Sequence, residues 1–523
     1  MKSTSNAQSC SKQGSHFVDI IQQHAANKSL PGFFAIESVH DMVHPKTLSY
    51  AQLDEQARKI AFYLHQQQLT QQPILLSLPN SLDFAVGFLG CLYAGVPVVI
   101  NSLSINRKGT ATEIAEIIEA AGVDVVLVPD DYDQGSTKDN CRFLKLSQLI
   151  TESGAGNIYQ TPVHDIALMY YSDCPQSGLT CSSLSYQALS DMVCQLLEPL
   201  PKHALQKGCC SFLSLSNNFG LLVGLLVPLY TGVKSWLIAP SIFDEAPLLW
   251  LHILSQEQLG FTTASTLAYE HCLAQITREH LTDFDLSSVE ICLLGDEPLC
   301  YQLLHEFNHL FFAAGFNSNA HYPLYSTPFH PWPLTAKKLY TPNAKLHISK
   351  TALKQGKISL VAQHHPQEKI IVSLGVVLND QIIIAKNDPS ERIEPFMPGY
   401  IWVKQHDQWI NSFDVGFMDN QGQLYRITCH DESKPALHDE RLTSIKQPFF
   451  HNWLTDWITD HVVLSQTPIN EHAHIAHYGI DSLATTDLSK AIEYTFGKPI
   501  TPLEIWQHPS VAKLTNYVEN RRD

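Results

Sequence analysis

From residue 16 onward, apolar positions follow helical and strand spacings in alternation. Across 49–68, Leu53, Ala57, Ile60, Ala61 and Leu64 recur on one helical face, and Ser49 stands where an N-cap is needed. The segment 73–79 (PILLSLP) predicts a short buried strand, 81–94 a helix ending near Gly95, and 96–100 a second strand. A helix over 114–121 and a strand over 123–128 follow, and the alternation continues through 165–320. Strand and helix in turn predict a parallel sheet covered on both faces. Over 369–417 the pattern shifts to short β-rich pieces (KIIVSLGVVL, QIIIAK, YIWVKQ), separated by Asp, Asn, Pro and Gly, which predicts a smaller sheet or barrel. Residues 430–448 are polar, carry two prolines, and read as a linker.

The last segment, 449–523, has the pattern of a small helical bundle. Trp453, Trp457 and Ile458 mark a first helix, and Leu488, Ile492 and Phe496 lie at i+4 spacing on a second. A turn over 506–509 leads to a closing helix capped by Ser510, with Val511, Leu514 and Val518 inward. Between the first two helices stands HYGIDSLATTDL. Gly479 allows a tight turn, Asp481 can cap, and Ser482 then falls in the first helical turn, followed by Leu483. A serine there is where a phosphodiester is electrostatically favoured.

Composition narrows the picture. A chain of 523 residues exceeds one core, and 44% apolar with 16% charged residues predicts packed globular domains. A net charge of −17 argues against nucleic acid or an anionic membrane as the main partner. The most apolar stretch, 219–230 (FGLLVGLLVPLY), has the length of a buried core helix, so no membrane span is expected. The polar start (MKSTSNAQSCSKQGS) lacks a signal-peptide run, and twelve scattered cysteines form no CxxC pair. Reduced thiols in a cytoplasmic protein are the expectation. His472, His474 and His477 cluster, but no Cys or carboxylate partner has ligand spacing, so they read as loop residues rather than a metal site.

The G-x-D-S-L motif within this bundle closely resembles acyl and peptidyl carrier proteins, over essentially all of 450–520. The resemblance implies a 4'-phosphopantetheine arm attached covalently to Ser482, with Asp481 and Leu483 flanking the attachment point. It also implies a phosphopantetheinyl transferase and acyl-loading or acyl-accepting enzymes as partners, and an acyl group carried as a thioester. Nine acidic against five basic residues in 450–523 suit recognition by basic patches.

Residues 16–429 resemble the adenylate-forming superfamily, and within it the fatty-acyl-AMP ligases. LSYAQLDEQARKIAFYL, LDFAVGFLGCLYAGVPVV, DLSSVEICLLGDEPL, HYPLYSTPF and WINSFDVGFMDNQGQLY fall in that family's order. The segment 346–372 resembles the stretch that separates these ligases from acyl-CoA synthetases. The implied fold is α/β, parallel sheets with helices plus a small β-rich subdomain, followed by a four-helix carrier domain.

The family's catalytic parts are altered. Its phosphate loop, T-S-G-[ST]-T-G-x-P-K-G, aligns with 172–181 (SDCPQSGLTC), beginning at Ser172. Cys174, Ser177 and Cys181 hold the glycine positions, Thr180 the lysine position, and Gly178 is displaced by one. His-Asp-Met-Gly stands as Asn217, Asn218, Phe219 and Gly220. Tyr-Gly-x-x-Glu begins at Tyr325 and ends in Phe329, which offers no oxygen to a hard cation. Asp414 keeps the place of the aspartate that grips the ribose. No room remains before 449 for the family's mobile lid, whose rotation completes the site. ATP and Mg²⁺ are therefore not expected to be used. The reading is a carrier fused to an inactive ligase-like domain that serves as a docking or acyl-binding platform. Two alternatives stay open: an active ligase that loads its own carrier, or a new hydrolase or transferase activity. For the latter, Cys209–Cys210 and His364–His365 are candidate nucleophile and base, with no geometry fixed by the sequence.

Overall fold

The computed structural model describes residues 17–27, 30–42, 44–101, 110–132, 141–151, 165–174, 178–276, 278–295, 299–327, 330, 332–338, 341–405, 408–427 and 450–461. In the last segment it describes 471–472, 474–475, 485, 488–489, 491–492, 496, 498 and 500–520. The predicted linker lies outside these residues.

Two large sheets form the frame. Thirteen strands build them in chain order: β1 (Phe33–Ile36), β2 (Lys46–Leu48), β3 (Ile74–Leu76), β4 (Val98–Asn101), β5 (Val125–Val128), β6 (Arg142–Lys145), β7 (Ile166–Cys174), β8 (Gly178–Ser185), β9 (Cys209–Ser211), β10 (Ser235–Ile238), β11 (Phe261–Ala264), β12 (Ile291–Leu294) and β13 (His321–Pro323). One sheet runs β13-β12-β11-β9-β10-β1-β2, the other β6-β5-β3-β4-β7-β8. All neighbours are parallel except β1–β2 and β7–β8. The expected parallel architecture is thus met, divided between two sheets.

Helices fill the space between them as their patterns require. Tyr50–Gln66 begins at Ser49, whose side chain accepts from the Gln52 N–H while Gln52 returns a bond to the cap. Leu53, Ala57, Ile60, Ala61 and Leu64 are all fully buried on its inner face. Leu82–Ala94 follows and is buried at every position but Asp83 in its first turn, consistent with its lack of a polar stripe. The apolar run near Phe219 is helical from Asn218 to Thr231, but with a π-helical turn over Leu222–Leu226. Pro228 has no N–H to give Gly224, whose carbonyl accepts instead from Ser235 Oγ at 3.0 Å.

A smaller β-rich region follows: β14 (Thr335–Ala336) pairs with β17 (Val376–Val377), and β15 (Lys345–Ser349) with β16 (Glu368–Val372). β18 (Ile382–Ala385), β19 (Gly399–Gln405), β20 (Gln408–Met418) and β21 (Leu424–Ile427) make a four-stranded antiparallel sheet. It has its own core, including Ile382, Ile384, Ile401, Val403 and Leu424.

The C-terminal bundle has a separate core of Phe450, Leu454, Ile458, Leu488, Ile492, Ile505, Val511, Leu514 and Val518. Its first helix is Phe450–His461 and its last Val511–Asn520. Where the sequence predicts a turn before the last helix, a short helix also forms, Pro502–Gln507. Thr501 and Glu504 build a capping box around Pro502 at the first helical position, which is enough to nucleate it. No helix among the described residues is long and apolar enough to cross a membrane.

Candidate nucleotide pocket and carrier domain

In open α/β sheets, ligands bind beyond the carboxyl ends of the strands. Here those ends carry Phe212 after β9, Gly295 after β12, and Leu324–Tyr325 after β13. The helix that starts at Asn218 sends Phe219 across this edge. Its ring presses on Gly295 so closely that a Cβ there would lie 2.2 Å from the ring. Phe219 is itself buried. Asn217 caps the same helix, its Oδ1 accepting from the Phe219 N–H at 2.9 Å and the Gly220 N–H at 3.3 Å. Gly220 is forced by packing, since a Cβ would fall 1.9 Å from the Ser214 carbonyl oxygen. Asn217 serves helix entry and Phe219 filling.

Ser172 and Thr180 face each other across the β7–β8 ladder, and pairing continues to Cys174 and Gly178. Only residues 175–177 separate the two strands. Ser172 is buried with its hydroxyl unpartnered, and the Thr180 hydroxyl donates to the Ser172 carbonyl at 3.1 Å. Cys181, opposite Tyr171, shares a side-chain hydrogen bond with it, and burial pushes its thiol pKa up. Segment 166–185 contains no lysine or arginine and one aspartate, Asp173. A ladder of this kind consumes backbone donors on its paired edges, and no side-chain cation of the segment stands in for them.

Asp414 sits in a β-bulge. Trp402 pairs with Asn411 and Tyr400 with Val415, so Ser412, Phe413 and Asp414 oppose Ile401 alone. Phe413 takes φ = 62°, a left-handed conformation that is costly for a bulky side chain. Asn411 Oδ1 accepts from the Phe413 N–H at 2.8 Å, and Ser412 Oγ donates to the Ile401 carbonyl at 2.8 Å. The bulge re-aims Asp414 at the end of β13. There the Tyr325 hydroxyl donates to Oδ2 at 2.8 Å, with Ser412 Oγ 3.1 Å from the same phenol. Arg426 on β21 brings Nη2 to 2.6 Å from Oδ1. Burial, then the Asp414 charge, raises the Tyr325 pKa, so the phenol stays a donor. Both carboxylate oxygens of Asp414 therefore have protein partners. Ser326 and Thr327, next along the chain, are buried, and Thr327 exchanges backbone hydrogen bonds with His330. Phe329 lies outside the described residues.

The family model described as "AMP-binding enzyme" matches residues 24–171, and the one described as "Phosphopantetheine attachment site" matches 462–518, which contain Ser482. The chain joins an AMP-binding domain to a phosphopantetheine carrier domain. The medium-chain-fatty-acid–[acyl-carrier-protein] ligase JamA of Moorena producens is 26% identical over 372 residues, covering 68% of this chain and 63% of that protein. The corresponding ligase TtuA of Teredinibacter turnerae is 22% identical over 435 residues, covering 73% and 66%. The chain thus spans under two-thirds of each relative's length. The fatty acid AMP ligase from Legionella pneumophila superposes with a TM-score of 0.69 at 21% identity, over 79% of this chain and 76% of that one. The large domain has the α/β adenylate-forming fold, as the sequence resemblance implies.

The carrier match implies covalent 4'-phosphopantetheine, and with it a phosphopantetheinyl transferase and acyl-handling partners. Asp481, Ser482 and Leu483 lie outside the described residues. Elsewhere in the carrier domain, His472 lies 3.5 Å from Glu471, and His474 packs on Trp506 with ring centroids 5.7 Å apart. Cys209 and Cys210 are fully buried on opposite faces of β9, and burial pushes the Cys209 thiol up to about 12. His364 and His365 are exposed in the turn before β16. A buried, protonated thiol is inert, so these residues do not assemble a nucleophilic site.

Three features escaped the sequence. Arg426 lacks any motif, and only the β20–β21 register brings it to Asp414. The Phe219–Gly295 contact joins segments whose order alone is legible. Trp506 meets His271 of the AMP-binding domain, a contact no local pattern encodes.

Proposed function

We propose that the chain is an acyl carrier whose AMP-binding domain does not adenylate and serves instead as a docking or acyl-binding platform. Its setting would be a cytoplasmic assembly pathway of the polyketide, nonribosomal-peptide or lipid type. The carrying observation is Asp414: its two oxygens are held by Tyr325 and Arg426, where a ribose would need them. The β7–β8 hairpin without a cation and the Phe219 plug over Gly295 support the same reading. When attached, phosphopantetheine supplies the thiol that carries the acyl group. The protein's part is to tether and orient that arm. Calorimetric titration of the full chain with Mg²⁺·ATP and with AMP tests the closed pocket. No heat of binding is expected, and saturable binding of either nucleotide overturns it.

A second reading is a ligase that loads its own carrier. The likeness to JamA and TtuA, named as ligases acting on acyl-carrier-protein, favours it. Intramolecular delivery would raise effective concentration. Incubating the holo chain with ATP and medium-chain acids separates the two, since only this reading adds an acyl mass to the chain.

A further inference from the structure

The two domains touch through aromatic side chains. The helix Thr266–Gln275 of the AMP-binding domain presents His271, and the helix Pro502–Gln507 of the carrier presents Trp506. Their ring centroids lie 5.3 Å apart at 74°, edge to face. Behind His271, Phe243 stacks at 6.4 Å and 21°, and on the carrier side His474 lies against the indole. His271 is 5% exposed. Neither His271 Nε2 nor Trp506 Nε1 has a hydrogen-bond partner, although both atoms are buried.

We propose that this contact is a docking site for the chain's own carrier domain, which parks with the Trp506 helix against the His271 helix and leaves it to meet other enzymes. The inference rests on the carrier reading above. A tryptophan seated on a closed aromatic surface is the residue type that anchors interfaces. The two unpaired nitrogens act the other way. Each loses water on docking and gains no bond, a cost that separation returns. A permanent interface would have paired them, so this one is suited to release. Residues 428–449 connect the domains, and such a tether keeps the local concentration of the carrier high enough to populate a weak contact. A partner that reads the Trp506 face competes with the parked state, so carrier recognition and docking exclude each other.

Hydrogen–deuterium exchange on the full chain tests the proposal with reciprocal variants. Trp506→Ala and the milder Trp506→Phe change the carrier, while His271→Glu changes the other domain and adds a charge that burial disfavours. Trp506→Ala is expected to speed exchange in Thr266–Gln275 about tenfold or more, with Trp506→Phe between it and the native chain. His271→Glu should do the same to Pro502–Gln507. Phosphopantetheinyl transferase reports folding of the carrier, since a variant modified at Ser482 retains that fold. Modified variants with unchanged exchange in both helices overturn the docking site and leave the carrier reading standing. A native chain that cannot be modified at Ser482 overturns the carrier reading, whatever the exchange shows.

Discussion

Asp414 accepts a hydrogen bond from the Tyr325 phenol at 2.8 Å, across the junction of the large sheet and the β-rich region. The bulge, the left-handed Phe413 and the Ser412 bridge to Ile401 all serve to hold the aspartate there. Strain of this kind is ordinarily stored at functional sites. In this chain the strained bulge turns Asp414 to an internal lock, completed by Arg426.

The lock has a stability consequence. Tyr325→Phe removes a bond to a charged acceptor without changing the ring, so a loss of about 1.5–3 kcal/mol is expected. Denaturant or thermal unfolding of the full chain measures it. A variant as stable as the native protein would show that the pair contributes nothing.

The carrier assignment predicts a single mass increase. Coenzyme A and a phosphopantetheinyl transferase should add one phosphopantetheine, read by intact mass, and Ser482→Ala should abolish it. Modification persisting in Ser482→Ala would move the attachment point elsewhere.

Docking should weaken in acid. Burial alone lowers the His271 pKa to about 4, from an ordinary value near 6.5. The acidic groups on its own and the adjoining helices, Asp244, Glu245, Glu270 and Glu504, contribute no compensating charge to that shift. The Trp506 ring supplies part of that burial, so the undocked histidine binds a proton more readily and docking is strongest above about pH 6.5. It falls by up to about tenfold per pH unit toward 4. Small-angle scattering should show an expanding radius of gyration over that window in the native chain and not in His271→Gln. A radius that is constant from pH 7.5 to 4.5 contradicts the prediction.

Thiol labelling addresses the buried cysteine pair. Iodoacetamide at pH 8 should leave Cys209 and Cys210 unmodified in the native chain, and label them once denaturant opens the core. Rapid native alkylation of either would restore a nucleophilic role.

Much of this was legible in the sequence, for identifiable reasons. The Ser49 cap and the Leu53–Leu64 face follow from local spacing, and the structure keeps both. The family resemblance marks 172–181 as an altered loop and Asp414 as a kept aspartate. What those residues touch is not local. Arg426 reaches Asp414 through strand register, and the π-turn at Leu222 depends on Pro228 together with a serine on β10. The Pro502–Gln507 helix is six residues long, too short for periodicity, and is announced only by its Thr501–Glu504 box. The Trp506–His271 contact joins positions more than two hundred residues apart.

The proposed function requires that the AMP-binding domain does not activate acids. Transition states of phosphoryl and adenylyl transfer concentrate charge that preorganised donors and cations must meet, and losing one such group costs about 10²–10³ in rate. The family resemblance sets Cys174, Ser177 and Cys181 at glycine positions, Thr180 at the lysine position and Phe329 at the carboxylate position, and Tyr325 and Arg426 hold Asp414. ATP–pyrophosphate exchange with a panel of medium- and long-chain fatty acids measures the step directly. The expected result is exchange indistinguishable from a protein-free control for every acid; acid-dependent exchange clearly above that control would contradict the account.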